Sequence, residues 1–280
     1  MSHISVITDS TSCIPQDLMD SLNIRMAPIT IILGDKEYRD MIDITPEVFY
    51  KRIKEENIYV TTSGGIVGEF VKIYEDLQGK VDGIVAIVLP PELPSAGYAS
   101  AVRAASLMEG MNIEVIDSGY VMPAQGFIVL AAARAAAQGA DLTTVAGIAR
   151  DVSSRINLLF VPEDLKYWKR LGRFIMPGTE EDWAKIQPVL TMRNGKITLE
   201  ENCEKGHGIE RMLEMVRERT KKGSPLHLAV FDAGNPALAE KVREQIVKDV
   251  HCDEFFMSLI TPVVGIHTGP GTVGVAFYNE

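Results

Sequence analysis

Cysteine is scarce in this 280-residue chain: Cys13, Cys203 and Cys252 are three in number, far apart, and form no CxxC pair. An odd, dispersed set argues against a disulfide framework and a thiolate zinc site, and fits the reduced thiols of the cytosol. His3, His207, His227, His251 and His267 never recur at i, i+4, so no metal site is expected. Positive charge is short as well. With 28 Lys and Arg against 38 Asp and Glu the net charge is −10, which leaves no global positive field to gather nucleic acid or anionic membrane. The longest apolar stretch, Phe127 to Ala133, ends at Arg134 and falls far short of the roughly 20 residues needed to cross a bilayer. No basic segment leading into an apolar run opens the chain, so neither an export signal nor a transmembrane segment is expected, and a cytoplasmic protein is.

Nucleotide chemistry has no footing either. There is no GxxxxGK[ST], no GxGxxG opens a helix after the first strand, and no Mg²⁺-binding carboxylate constellation stands out. The chain is therefore expected to carry no nucleotide site and no cofactor of its own. A serine hydrolase can be assembled on paper from Ser95, His267 and Asp9 or Asp117, but the GxSxG nucleophile elbow is absent. No internal repeat or low-complexity segment interrupts the chain.

What is present is an ordinary globular composition, 46% hydrophobic and 24% charged. Short β-branched runs alternate with helical patterns: 3–8 with 15–22, 83–89 with 95–108, 112–117 with 123–138. That alternation predicts βαβ units and a mostly parallel sheet flanked by helices. Pro15 and Pro46 suit first helical turns, Thr45 suits a cap, and the alanines between 131 and 137 suit a closely packed interior helix.

Past Val161 the texture changes. The charged, aromatic EDLKYWKRLGR precedes PVLTMRNGKITLEEN, whose Arg193-Asn194-Gly195-Lys196 centre predicts a hairpin. Helices are expected near 209–222 and 236–250, a strand at 226–231 and further apolar material at 255–260. The reading is α/β with two domains: residues 1–155 form an α/β domain, and 156–280 form a smaller α+β domain with antiparallel pairing.

In open α/β sheets ligands lie beyond the carboxyl ends of the strands. Four segments occupy such positions: TDSTS at 8–12, TTSGG at 61–65, PELPSAGY at 91–98 and DSGY at 117–120. Hydroxyls and helix N-terminal N–H groups favour an anion, although any one Ser or Thr there can serve only as a cap. Near the end, IHTGPGTVG at 266–274 could cradle a phosphate, hold a carboxylate or simply turn the chain.

Taken in order, ITDSTSCIPQDL at 7–18, TTSGGIVGEF at 61–70, PSAGYASA at 94–101, VIDSGY at 115–120, EDLKYWKRLGR at 163–173, PVLTMRNGKI and HTGPGTVG resemble the DegV family of bacterial fatty-acid-binding proteins across nearly the whole chain. The resemblance implies a long-chain fatty acid lying between two α/β domains, with the 266–274 segment contributing to its site. Its carboxylate would be held by Thr62, Ser63, Ser95 and His267, with Arg170 at the head group or at a docking surface. It further implies a substrate-presenting subunit rather than an enzyme: a separate fatty acid kinase phosphorylates the bound carboxylate, and the acyl phosphate passes to phospholipid synthesis. Where the family usually has TSQPSPGEF and LSGTYQSA this chain has TSGGIVGEF and PSAGYASA, and Leu171-Gly172 stands for a glycine pair. A serine-type esterase and a carrier of another carboxylate ligand are the alternatives.

The energetics suit a lipid carrier. An acyl chain of about 16 carbons hides about 15 methylene or methyl groups, and at about 0.8 kcal/mol each the transfer gain is on the order of 12 kcal/mol. Ordering the chain offsets much of that gain. A buried carboxylate costs several kcal/mol unless paired, and each hydrogen bond to it returns about 1.5–3 kcal/mol. Two hydroxyls and an imidazole cover that cost.

Overall fold

The structure, a computed structural model, describes residues 2–56, 60–63, 66–93, 96–165 and 180–280. The chain opens with β1 (Ile4–Asp9), a single 3-10 turn (Ser10–Ser12), α1 (Gln16–Ser21), β2 (Arg25–Ala27), β3 (Thr30–Leu33), β4 (Lys36–Arg39), α2 (Pro46–Glu55) and β5 (Val60–Thr62). It continues through α3 (Val67–Leu77), β6 (Gly83–Val88), α4 (Gly97–Ala105), β7 (Ile113–Asp117), α5 (Met122–Ala137) and α6 (Leu142–Arg155). The second half holds β8 (Asn157–Val161), α7 (Glu180–Trp183), β9 (Val189–Arg193), β10 (Lys196–Glu201), α8 (Gly208–Arg219), β11 (Leu226–Asp232), α9 (Pro236–Asp249), β12 (Glu254–Leu259), α10 (Pro262–Thr268) and β13 (Val273–Asn279).

The first sheet is parallel throughout, in the order β2-β1-β6-β7. Its central strand β6, GIVAIV, is buried at every position, as a parallel strand covered on both faces must be. Helices α5 and α6 pack together over β1, β6 and β7, and α4 packs against β6 and β7 beside α3. The alanine-rich α5 is interior: Phe127, Ile128, Val129, Leu130 and Ala132 are fully buried. Thr45 caps α2 through the Val48 N–H, with Pro46 in the first turn.

The second sheet is mixed, in the order β10-β9-β8-β13-β11-β12, antiparallel except where β11 meets β12. Its strands alternate strictly. Leu158, Phe160, Ala229, Phe231, Ala276 and Tyr278 join the core that runs through α5 to the first sheet. Their neighbours Leu159, Val161, Leu228, Val230, Val275 and Phe277 form a separate core with Met212, Val216 and Val242 of α8 and α9. The expected hairpin is present: Arg193 pairs with Lys196, and Asn194 and Gly195 take φ of 50° and 70°, both positive as a two-residue type I′ turn requires.

Two elements depart from the expectation. Residues 30–62 contribute a small antiparallel sheet, β4-β3-β5, whose three- and four-residue strands are too short to display a period of two. The IHTGPGTVG stretch is not a glycine loop over its whole length, because Ile266, His267 and Thr268 complete α10 and the strand β13 begins at Val273. Only 269–272 turn the chain.

Candidate functional site

The site builds outward from α10. Thr261 precedes the helix and Pro262 occupies its first turn, where a missing N–H costs nothing. Gly269 ends it at φ 76°, donating its N–H to Gly265 O at 2.9 Å. Every residue of α10 is buried except His267, which is half-exposed. An element this enclosed, with one polar side chain left accessible, presents that side chain.

Close packing sets the position of α10. A Cβ on Gly265 would lie 2.5 Å from the Tyr50 hydroxyl and 3.0 Å from Phe49 Cε1, so α2 approaches the helix over a residue that must be glycine. Tyr50 donates its hydroxyl to Ile260 O at 3.1 Å, fixing the same junction. Beyond the helix, Gly271 donates to Ala233 O and Ala233 donates to Thr272 O, each at 2.8 Å. The threonine hydroxyls of the motif are internal: Thr268 donates to Val264 O at 3.4 Å and Thr272 to Thr268 O at 2.9 Å. Of the polar side chains between 266 and 274, His267 is the one that is not fully buried.

Helix α10 packs against β3 and β5. Thr62 ends β5 opposite Ile31, Ser63 donates its N–H to Thr30 O at 3.0 Å, and both side chains are half-exposed. The strand carrying Thr62 and the helix carrying His267 thus share one neighbourhood. Just before α3, Ile66 donates its N–H to the Ser100 hydroxyl of α4 at 3.1 Å. Gly195 of the hairpin lies against Pro90 and Glu92. Ser95 and Arg170, the other two expected site residues, lie outside the described residues.

Two of the four hydroxyl-rich segments are structural. In TDSTS, Asp9 accepts the Thr11 N–H and the Leu89 N–H, each at 2.8 Å, and also the Thr11 hydroxyl and Gln125 Nε2. Gln125 of α5 further donates to Thr8 Oγ1 at 3.1 Å. Burial raises the Asp9 pKa despite these bonds. In DSGY, Asp117 Oδ1 accepts the Gly119 N–H at 2.7 Å and Ser118 closes a turn onto Tyr120. Both acids offered for a catalytic triad are thus engaged in turns, which weighs against that arrangement.

Sequence spacing conceals a polar seam beneath α10. Thr261 donates to Ser10 O at 3.0 Å, Ser258 donates to Cys13 O at 2.6 Å, and Asp40 Oδ1 accepts the Val263 N–H at 3.3 Å. Asp40 is fully buried, and burial pushes its pKa up to about 7 against the partial pull of Ser10, Val263 and Thr261. Burial likewise pushes the Cys13 thiol up to about 12, which makes it inert. A cleft of about 770 Å³ opens beside the glycine turn between Tyr50, Lys54, Glu163, Trp183 and Pro270; neither Thr62 nor His267 lines it. Among the described residues no helix is long and apolar enough to cross a membrane, and no group of His, Cys, Asp or Glu is arranged to hold a metal ion.

A family model described as "Uncharacterised protein, DegV family" matches residues 3–280. The chain belongs to the DegV family. Protein DegV of Bacillus subtilis is 29% identical over 278 residues, covering 98% of this chain and 99% of its own. A crystal structure of DegV from Bacillus subtilis, described as a fatty acid binding protein, superposes with a TM-score of 0.90 at 28% identity over 100% of both chains. A fatty-acid-binding DegV family protein from Thermus thermophilus superposes with a TM-score of 0.89 at 25% identity, again over 100% of both chains.

Proposed function

We propose that this DegV-family protein binds a long-chain fatty acid and holds its carboxylate with Thr62, Ser63, Ser95 and His267, in a site between an N-terminal lobe of residues 1–155 and a C-terminal lobe of 156–280. The observation that carries the reading is the single accessible side chain of α10, His267, on a helix packed against the strand that ends at Thr62. Full-length similarity to fatty-acid-binding relatives supplies the ligand class. Neutral hydroxyls and an imidazole hold a carboxylate without the tight ion pair of a lysine or arginine, leaving its oxygen open to an external phosphoryl donor.

On this reading the protein is a cytoplasmic binding and presenting subunit. A separate kinase brings the nucleotide, Arg170 contributes to the head group or to docking, and the acyl phosphate formed enters phospholipid synthesis. Denaturing the purified protein and identifying the released small molecules by mass spectrometry tests the ligand class. Recovery of long-chain fatty acid, or saturable uptake of added fatty acid, is expected; failure of both sinks the proposal. Steady ester turnover abolished by Ser95→Ala would instead establish the esterase.

A further inference from the structure

A different cleft, of about 1130 Å³, separates α5 and α6 from the β11–β12–β13 side of the second sheet, and none of Thr62, Ser63 and His267 lines it. One wall carries a histidine held from both ends. His227 Nδ1 lies 2.6 Å from Glu254 Oε2, and its Nε2 lies 3.1 Å from Glu280 Oε1. A carboxylate can only accept, and a neutral imidazole has one N–H, so only the imidazolium satisfies both contacts.

The elements packed around the ring close the arrangement. Arg134 of α5 donates through both terminal nitrogens to Glu254, so this carboxylate joins α5 to β11 across the cleft. Tyr278 of β13 stacks on the imidazole at 4.4 Å with an interplanar angle of 7°, and Phe127 of α5 meets it edge-on at 6.3 Å. From α6, Arg155 lies 5.7 Å over the Tyr278 ring, donates to Asn279 O at 2.6 Å and pairs with Asp151. Asp17 and Asp253 complete the charged lining, and Asp253 accepts the Leu226 N–H at 2.9 Å.

We propose that the His227 imidazolium is a proton-operated clasp that holds α5 against the β11–β13 side, and that loss of its proton loosens this junction. Deprotonation removes the ring's charge and leaves a lone pair facing one of the two carboxylates, so the neutral ring can donate to only the other, whereas Arg134 continues to hold Glu254. Burial opposes a charge on the ring, but the bonds to Glu254 and Glu280 outweigh it and raise its pKa above the ordinary value. Glu254, also opposed by burial, is drawn down to about 2 by His227 and Arg134. The clasp is therefore closed in mildly acidic solution and opens as pH rises through the raised His227 value.

Nitrogen-15 spectra of the histidine rings, paired with hydrogen exchange of residues 122–137 and 254–259 in the full chain, test this. Both His227 nitrogens should carry protons in mildly acidic solution. As the ring titrates, amide protection should fall roughly tenfold beyond the intrinsic pH dependence of exchange, the loss of about one charged hydrogen bond. His227→Gln should abolish the step. Glu280→Gln alters a largely exposed side chain, and should keep the step while moving it to lower pH. A singly protonated ring in acid, a step unchanged in His227→Gln, or one unmoved by Glu280→Gln overturns the clasp; the last decides should His227→Gln fail to fold.

Discussion

Asp40→Asn isolates the cost of a buried carboxyl beneath α10. Asp40 is fully buried; one oxygen accepts the Val263 N–H, and the other has no hydrogen-bond partner among the described residues. In the unfolded chain it titrates near the ordinary aspartate value of about 3.9, against about 7 in the fold. Between those values the folded state binds more protons than the unfolded one, so stability is fully present below about pH 4 and is lost as pH rises through about 7. The difference corresponds to on the order of 4 kcal/mol. Asparagine keeps the acceptor for Val263, never ionises, and places a donor beside Ser10 and Thr261. Urea unfolding of both proteins across this window should show the variant gaining on the parent as pH rises, by up to about 4 kcal/mol. Taking the difference cancels His227, Glu254 and every other group common to both. Parallel stability curves would refute the assignment.

Three further outcomes follow from named contacts. Thr62→Ala and His267→Ala should each weaken fatty-acid binding about 10- to 100-fold in a titration, the loss of one charged hydrogen bond, with unfolding midpoints little changed. Gly265→Ala puts a Cβ 2.5 Å from the Tyr50 hydroxyl, and should lower stability by about 1–3 kcal/mol in denaturant unfolding, with partial recovery on adding Tyr50→Phe. In the native protein a thiol reagent should label Cys203 and Cys252, which are partly exposed, and reach buried Cys13 only after unfolding; rapid native labelling of Cys13 would contradict its placement.

Much of the fold is legible in local sequence because its physics is local. The uninterrupted apolar run of β6, the Asn194-Gly195 turn and the Thr45-Pro46 helix start each state their conformation within a few residues. Strands β2 to β5 state nothing comparable, since three or four residues cannot establish a period. The signal for α10 was available in Thr261-Pro262, but the glycines that follow suggest a loop to anyone reading from the other end. The bonds that place the candidate site are beyond local reading: Ser100 to Ile66, Tyr50 to Ile260 and Asp40 to Val263 join residues 34, 210 and 223 apart.

Composition alone could not separate TDSTS from TTSGG, as both offer hydroxyls at a strand end. The fold separates them by what each hydroxyl has left to do. Thr8, Ser10, Thr11 and Ser12 are buried and bonded within the protein, whereas Thr62 and Ser63 remain half-exposed beside α10. The same division runs through IHTGPGTVG, where the threonines brace the backbone and His267 is the polar side chain that is partly exposed. Its glycines serve packing and backbone geometry. Gly265, just upstream, admits Phe49 and Tyr50; Gly269 ends the helix; Gly271 takes φ 82° where Glu163 leaves no room for a Cβ; and Gly274 lets Phe231 and Phe160 close over β13. The glycines hold the backbone of this stretch in place, and the imidazole to which the proposed function gives the carboxylate sits on a helix that their packing fixes.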